Sequence, residues 1–142
     1  MTTWEERVRQ SFSRQAFMST LGAELTTVVQ GAVEIRMPFS PSLTQQNGYL
    51  HAGAVTAVLD SACGYSALSV AAEDCDVLTV ELKLNLLAPA AGEVLAARGQ
   101  VKRAGRTLTV CTADAFAIRG DKEKLVATML ATIMSLPMKP AK

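Results

Sequence analysis

The chain has 142 residues, a length typical of one domain, and we expect residues 1–142 to form a single unit. Apolar residues make up 49% and charged residues 19%, which predicts a globular protein with a sizeable core and excludes a disordered chain. The formal net charge of +1 leaves no strongly basic surface, so nucleic acid is not an expected partner.

The cysteines and the apolar segments indicate in which cellular compartment the protein is expected. Cys63, Cys75 and Cys111 are odd in number and widely spaced, which favours free thiols in a reducing environment. Because there is no CxxC pair and only one histidine, no metal site is expected. The N-terminal sequence lacks the apolar core of a signal peptide, and the apolar segment 52–72 is interrupted by Asp60. We therefore expect a cytoplasmic protein with no cofactor and no membrane contact.

The N-terminal segment, residues 1–21, predicts a helix. Thr2 or Thr3 can cap its start, and acidic residues follow in the first turn, where the helix dipole favours them. Gly22 suits its C-terminal end.

Two strands are predicted next, at Ala23–Gln30 and Ala32–Met37, with a turn at Gln30-Gly31 between them. Prolines then end regular structure, and a long loop follows at residues 38–50. Loops of this length inside compact domains are often functional.

Residues 52–72 form a long apolar run, and this length favours a helix over a strand. Asp60 lies in its middle. No Lys or Arg occurs between Arg36 and Lys83, so the neighbouring sequence offers no ion pair. A carboxylate in a buried helix is costly unless it is paired or hydrogen-bonded, which makes Asp60 a functional candidate.

Helical periodicity divides this segment into two faces. One face carries small residues around the carboxylate: Gly53, Thr56, Ala57, Asp60, Gly64 and Ala67. The other carries mostly larger residues: Val55, Val58, Leu59, Ala62 and Tyr65. We expect the larger face to pack on a sheet and the small face to admit a ligand or a second subunit. The alternative is a structural carboxylate, capped by a neighbouring hydroxyl of Thr56 or Ser61.

The remaining sequence predicts four strands, of which Val77–Leu87 is the clearest because its residues alternate. One predicted face carries Leu78, Val80, Leu82, Leu84 and Leu86, and the other carries Thr79, Glu81, Lys83 and Asn85. The other strands are Gly92–Arg103, Arg106–Arg119 and Lys124–Leu136, followed by a loose tail at 137–142. A long helix among antiparallel strands predicts an α+β fold, in which a curved sheet wraps the helix.

The loop and the central helix together resemble the hotdog-fold acyl-CoA thioesterases. The family signature G-x-L-H-G-G…D is similar to Gly48-Tyr49-Leu50-His51-Ala52-Gly53, with Asp60 nine residues after His51. The likeness continues through Thr79–Leu82 and Ala88–Gly92 to Gly105-Arg106-Thr107, so that it covers about residues 20–136. It is closest to the phenylacetate-degradation (PaaI-like) branch.

This resemblance implies a hotdog fold, a homodimer or a dimer of dimers, and hydrolysis of an acyl- or aryl-CoA to a free acid and CoA. It gives Asp60 the role of general base or nucleophile. The Ala52 N–H, beside Gly53 at the start of the helix, becomes an oxyanion donor. Gln45 orients the water or the thioester, and Thr79 supports the water or the carboxylate.

Further residues are assigned to substrate binding. Asn47 lies in the loop, and Gly64 keeps a slot for the acyl group open. His51 is interpreted as a structural hydrogen-bonding residue that shapes the turn. Three basic residues at a turn, interpreted without the resemblance as merely solvated, become candidates for the CoA phosphates: Lys102, Arg103 and Arg106.

The spacing within the helix predicts where these groups meet. Ala52 and Asp60 are separated by about 12 Å along a helix axis, so one short thioester cannot easily touch both in one chain. We therefore predict a two-subunit site, in which Asp60 of one subunit faces Gln45 and Ala52 of the other.

Two other functions stay open. A non-catalytic acyl-CoA-binding hotdog protein would use the same groove, but it would not need a buried carboxylate beside the thioester. A hotdog dehydratase acting on hydroxyacyl thioesters would use a catalytic histidine in a pattern different from His51-Ala52-Gly53.

Overall fold

A computed structural model describes residues 2–139, and its centre is a 17-residue helix on which a six-stranded sheet packs. The helices are α1 (Trp4–Arg14), α2 (Ala16–Thr20) and α3 (Ala52–Leu68), with a 3₁₀ turn at Pro41–Leu43. The strands are β1 (Glu24–Val29), β2 (Ala32–Pro38), β3 (Cys75–Leu86), β4 (Val94–Ala104), β5 (Leu108–Arg119) and β6 (Lys122–Pro137).

The strands form one sheet in the order β1-β2-β4-β5-β6-β3, and every neighbouring pair is antiparallel. The edges are β1 and β3. The sheet curves around α3, which contacts β2, β3, β4, β5 and β6. The α+β architecture expected from the sequence is therefore confirmed.

The packing of α3 follows the two faces expected from its periodicity. Val55, Val58, Leu59 and Ala62 are at most 2% exposed. The helix and the sheet approach each other closely at Gly99 of β4, where an added Cβ would lie 2.5 Å from the Ala62 carbonyl oxygen. The residues of α3 that are not buried belong to its first turn and its small face: Ala52, Gly53, Thr56, Ala57, Asp60 and Gly64.

The N-terminal segment forms two helices, so the prediction of one helix over residues 1–21 is wrong. Thr3 caps α1 as expected, but the helix ends at Gln15, whose backbone is extended (φ −80°, ψ 98°). The Gln15 side chain crosses to α3, where its amide nitrogen donates to the Tyr65 hydroxyl and its oxygen accepts from the Ser61 hydroxyl, both over 3.1 Å. These long-range hydrogen bonds stabilise the interruption of the helix at Gln15, which the local sequence does not predict.

Strand β3 departs from the predicted alternation because it contains a bulge. The pairing with β6 shifts register between Thr79 and Glu81, which leaves Val80 as an extra residue. Thr79 therefore faces α3, and Leu78 lies on the outer face of the sheet, so the predicted faces are wrong for the residues before the bulge. Three leucines after the bulge share the inner face with Thr79: Leu82, Leu84 and Leu86.

The C-terminal segment is ordered further than expected. β6 extends to Pro137, and the Met138 N–H donates to the Asp74 carbonyl oxygen over 2.8 Å. The prediction of a loose tail over 137–142 is therefore wrong for Pro137 and Met138, and residues 140–142 lie outside the described residues. Within residues 2–139, the helices are too short or too polar to cross a membrane.

Candidate active site

Asp60 lies on the partly covered face of α3 and is held by a threonine of the edge strand. Thr79 Oγ1 donates to Asp60 Oδ1 over 2.7 Å. The second oxygen, Oδ2, accepts no hydrogen bond from the residues that the structure describes. One carboxylate oxygen is therefore fixed, and the other remains available to water or a ligand.

The two neighbouring hydroxyls that could have capped Asp60 point elsewhere. Thr56 Oγ1 donates to the Ala52 carbonyl oxygen over 2.6 Å, and Ser61 Oγ donates to Gln15. Among residues 2–139, no cation forms an ion pair with Asp60. The carboxylate is thus held only by Thr79, from a different element of the fold.

A cavity of about 470 Å³ opens beside this carboxylate, and Asp60, Gly64 and Thr79 belong to its wall. An added Cβ at Gly64 would meet no atom within 4 Å, so this residue borders open space. The volume lies in the range of small-molecule sites.

The loop before α3 is fixed by its own hydrogen bonds. The Gln45 N–H donates to the Tyr49 carbonyl over 2.9 Å, and the Leu50 N–H donates to the Ala90 carbonyl over 3.0 Å. Gln45 Oε1 accepts from the Asn47 N–H, and Gln45 Nε2 donates to no acceptor among the described residues. Asn47 thus orients Gln45 through its backbone.

His51 caps α3 and so has the structural role expected from the sequence. Its Nδ1 accepts from the Gly53 N–H over 2.7 Å. An added Cβ at Gly53 would lie 3.0 Å from this nitrogen, so residue 53 must be small for the cap to form. The Gly53 N–H is thereby occupied, whereas the Ala52 N–H donates to no acceptor among the described residues. Of these two backbone donors, only Ala52 remains available to a ligand.

These loop residues line a second cavity, of about 680 Å³, that does not include Asp60. Gln45, Asn47, His51 and Ala52 form one side, and the end of β3 with the segment after it forms the other. Within one chain, therefore, the structure brings Gln45 to Ala52 and Thr79 to Asp60, but it does not join the two pairs.

The three basic residues line neither cavity. Lys102 and Arg103 lie near the end of β4, with Lys102 at a register shift, and Arg106 lies in the following turn; all three are exposed. The register across the sheet aligns this turn with the beginning of β3, at the opposite end from the cavity that Gln45 lines. The chain alone does not place them near that cavity.

The thiols are unsuited to nucleophilic catalysis. Burial, with smaller contributions from Cys111 and Asp60, raises the pKa of the Cys63 thiol far above its usual value. Burial also raises the pKa of Cys111, to about 11. Both groups are thus neutral near pH 7, and the thiolate is the reactive form. In the described part of the chain, no three His, Cys, Asp or Glu side chains cluster as metal ligands would.

Sequence reasoning missed the residues that line the cavity of Asp60 from the N-terminal helices. Ser11, Arg14 and Gln15 lie there, together with Tyr65, which had been expected to pack on the sheet. Tyr65 instead contacts Phe12 edge-on, with ring centroids 5.5 Å apart. Only their helical spacing was visible in the sequence, and it does not show that the segment folds back over Asp60.

A long helix wrapped by an antiparallel sheet, with a partly covered carboxylate on that helix, defines a hotdog-fold protein. The family model of the Thioesterase superfamily matches residues 47–124, which is more than half of the chain. The chain belongs to this superfamily.

Solved structures agree with this assignment. A thioesterase family protein from Silicibacter pomeroyi is 53% identical, with a TM-score of 0.93 over 95% of this chain and 99% of that chain. The PaaI protein of E. coli, from the phenylacetic acid degradation operon, has a TM-score of 0.84 over 94% of this chain and 93% of that chain. Its identity of 18% shows the fold alone. The hotdog fold and the thioesterase resemblance are confirmed.

A curated relative covers a shorter region. A candidate esterase from Saccharolobus solfataricus is 30% identical over 90 residues, which are 63% of this chain and 64% of that protein. The chain thus matches less than two thirds of that relative's length.

Proposed function

We propose that the chain is an acyl-CoA thioesterase, which hydrolyses a thioester to a free carboxylic acid and CoA in a site shared by two subunits. Asp60 carries this proposal: one of its oxygens is held by Thr79, the other accepts no hydrogen bond from the described residues, and Asp60 lines a cavity. Partial burial of a carboxylate without a cation costs free energy, and such groups are concentrated at functional sites.

The proposed chemistry uses Asp60, in the middle of α3 of one subunit, and the Ala52 N–H, at the start of α3 of the other. Asp60 takes a proton from water as the water oxygen attacks the thioester carbonyl carbon. The carbonyl oxygen becomes negative, and the Ala52 N–H, at the positive end of the helix dipole, donates to it. The C–S bond then breaks, and the proton passes from Asp60 to the sulfur of CoA. In the nucleophilic variant, Asp60 attacks the carbonyl carbon itself, the C–S bond breaks, and CoA leaves as a thiolate. Water then hydrolyses the resulting anhydride to the free acid, which restores the Asp60 carboxylate, and the proton that hydrolysis releases passes to the CoA sulfur.

Gln45 fits the role of an additional donor. Since its side-chain oxygen is occupied by the Asn47 N–H, its amide nitrogen is the group that can reach the thioester or the attacking water. The proposed reaction uses no metal or redox cofactor, because CoA enters as part of the substrate.

The edge strand β3 supports the sharing of the site. Leu82 and Leu86 are 39% and 55% exposed although they face the helix side of the sheet, and no strand within residues 2–139 pairs with the outer edge of β3. A long apolar edge favours pairing with another strand. If two copies of β3 pair antiparallel about Leu82, Thr79 of one copy lies near Asn85 of the other. Asp60 then approaches the partner's cavity, whose wall includes Leu86 and Gln45.

The second candidate function is a non-catalytic acyl-CoA-binding protein. The two cavities and the exposed edge suit a binder as well as an enzyme. The open Oδ2 of Asp60 favours the enzyme, since a carboxylate beside a thioester and its phosphorylated carrier would only weaken binding.

The test is release of free thiol from a panel of acyl-CoAs, with the wild type beside Asp60→Asn. We expect hydrolysis by the wild type and a loss of about a hundredfold or more in the variant. Asp121→Asn, in the exposed turn between β5 and β6, is the matched control and should retain full activity. If neither the wild type nor the variant released thiol but both bound CoA esters, the binding protein would replace the enzyme.

A further inference from the structure

The outer face of the edge strand β3 carries two charges of opposite sign that the chain itself leaves unpaired. Glu81 and Lys83 are both exposed, and neither forms an ion pair with another residue in the described range 2–139. Their neighbours across the strand pair with β6 are Thr132 and Leu130, which carry no charge. The two charges therefore lie at a sheet edge without a partner from the strand beside them.

Symmetry restricts how β3 can pair with a second copy of itself. Two antiparallel copies of one strand are related by a two-fold axis, and residues directly opposite each other point to the same face of the sheet. Because side chains alternate between the two faces, the axis must run between the two copies of one residue. An axis at Glu81 sets two glutamates opposite each other, and an axis at Lys83 sets two lysines opposite each other. Only an axis at Leu82 sets Glu81 of each copy opposite Lys83 of the other.

Opposite charges stabilise such a cross-strand pair, whereas like charges destabilise it. We propose that Glu81 and Lys83 form two ion pairs across two copies of β3, which fix the register about Leu82 and restrict this edge to pairing with its own copy. The four charges then alternate in sign around the axis. On the helix side of the sheet, Leu82 of one copy meets Leu82 of the other, where 39% of this side chain is exposed in the single chain.

The order of the charges favours a second copy of this chain over a strand with a different charge pattern. A lysine on an edge strand usually discourages pairing. Here Glu81 offsets Lys83 only for a strand that carries the same two charges in the opposite order, and an antiparallel copy of β3 has that order. The proposal rests on the shared site of the proposed function, because the register sets how far Asp60 lies from the cavity of the partner subunit.

The test co-expresses two differently tagged chains, Glu81→Lys and Lys83→Glu, and measures the proportions of the three dimers by native mass spectrometry after preparation at low ionic strength. Two wild-type chains with these tags should give about half mixed dimers. The charge variants should give about four-fifths mixed dimers or more, because like charges are opposed in both homodimers and opposite charges in the mixed dimer. A chain with both changes, Glu81→Lys and Lys83→Glu, restores the opposite charges and should form homodimers as the wild type does.

The matched control is Asp121→Lys co-expressed with Lys122→Glu, in the exposed turn between β5 and β6. These variants change the net charges of the two chains by the same amounts, and they should give about half mixed dimers. If the variants at positions 81 and 83 also gave only half, the proposed register would be wrong. A wild type that stayed monomeric would overturn the pairing and the shared site together. Dimers in the expected proportions without thiol release from any acyl-CoA would remove the thioesterase and leave the pairing in place.

Discussion

Thr79 connects the sheet to the proposed catalytic carboxylate. Because its hydroxyl donates to Asp60 over 2.7 Å, it fixes which oxygen of the carboxylate faces the cavity. We expect Thr79→Val to lower kcat by about tenfold with little change in KM, since the carboxylate would be misoriented rather than lost. Thr79→Ser keeps a hydroxyl and should recover most of the activity.

The control for this prediction is Thr132→Val, on the outer face of the neighbouring strand β6. It removes the same group without touching Asp60 and should leave kcat unchanged. A Thr79→Val variant with wild-type kcat would show that Asp60 needs no support from β3.

Glu34, on the outer face of the sheet, makes the stability of the fold depend on pH. Burial raises its pKa, but hydrogen bonds from Arg36, Arg98 and Thr26 outweigh burial and lower the pKa from 4.5 to about 2. Since the folded state binds the proton less readily than the unfolded chain, Glu34 stabilises the fold above its unfolded pKa. That stability is lost as the pH falls through the folded pKa.

We expect Glu34→Gln to reduce the free energy of unfolding by about 2 kcal/mol at neutral pH, with a difference that shrinks on acidification. Urea denaturation between about pH 6 and pH 2 measures it. Glu24→Gln, on the exposed edge strand β1, is the matched control. A constant difference between Glu34→Gln and the wild type across this range would contradict the assignment.

Whether a site residue can be predicted from the sequence depends on how far along the chain its hydrogen-bonding partner lies. Asp60 was visible because a charge without a nearby cation stands out in an apolar helix. Thr79 followed only from the resemblance, since its partner lies 19 residues away. Gln15 and Tyr65 could not be identified as residues of this cavity, because they are uncharged and their hydrogen bond joins positions 50 residues apart in the sequence.

The end of α3 depends on one side chain of α1. Arg7 donates to the carbonyl oxygens of Leu68, Ala71 and Ala72 over 2.7 to 2.8 Å, at the end where a helix leaves its carbonyls unpaired. We expect Arg7→Met, which keeps the aliphatic stem, to cost about 2 kcal/mol in urea unfolding, because partly buried carbonyls lose a charged donor.

Arg9→Met is the matched control on the same helix. Arg9 pairs only with Glu5, four residues away on an exposed surface, and such pairs contribute a few tenths of a kcal/mol at most. If both variants unfolded at the same denaturant concentration, Arg7 would not stabilise the helix end.

Most helices and strands were predictable from the sequence. The two errors, a single N-terminal helix and a β3 strand without a bulge, have the same cause. The apolar period continues unbroken from Trp4 to Ala16, with no Gly or Pro at Gln15, so the sequence indicates one helix. In β3 the alternation from Leu78 to Leu86 is regular, so it indicates no bulge. In both places a hydrogen bond to α3 overrides the local pattern.

At the scale of the whole molecule, the separation of the two cavities is the main consequence of the fold. Gln45 and Ala52 line one cavity and Asp60 lines the other. The proposed function joins them across two subunits, and this proposal starts from the roughly 12 Å of helix axis between Ala52 and Asp60. The exposed leucines of β3 indicate where a second copy would supply the missing half.

A mixed dimer tests this arrangement directly. Asp60→Asn and Gln45→Ala should each inactivate the homodimer. In a dimer of one chain of each kind, the intact Asp60 of one subunit faces the intact Gln45 of the other, which restores one of the two sites. With equal amounts of both chains, about half of the dimers are mixed, so about a quarter of wild-type activity should return. Differently tagged chains, co-expressed and purified through both tags, measure the mixed dimer alone. No recovery would mean that each chain carries a complete site, because every chain in the mixture has a defect.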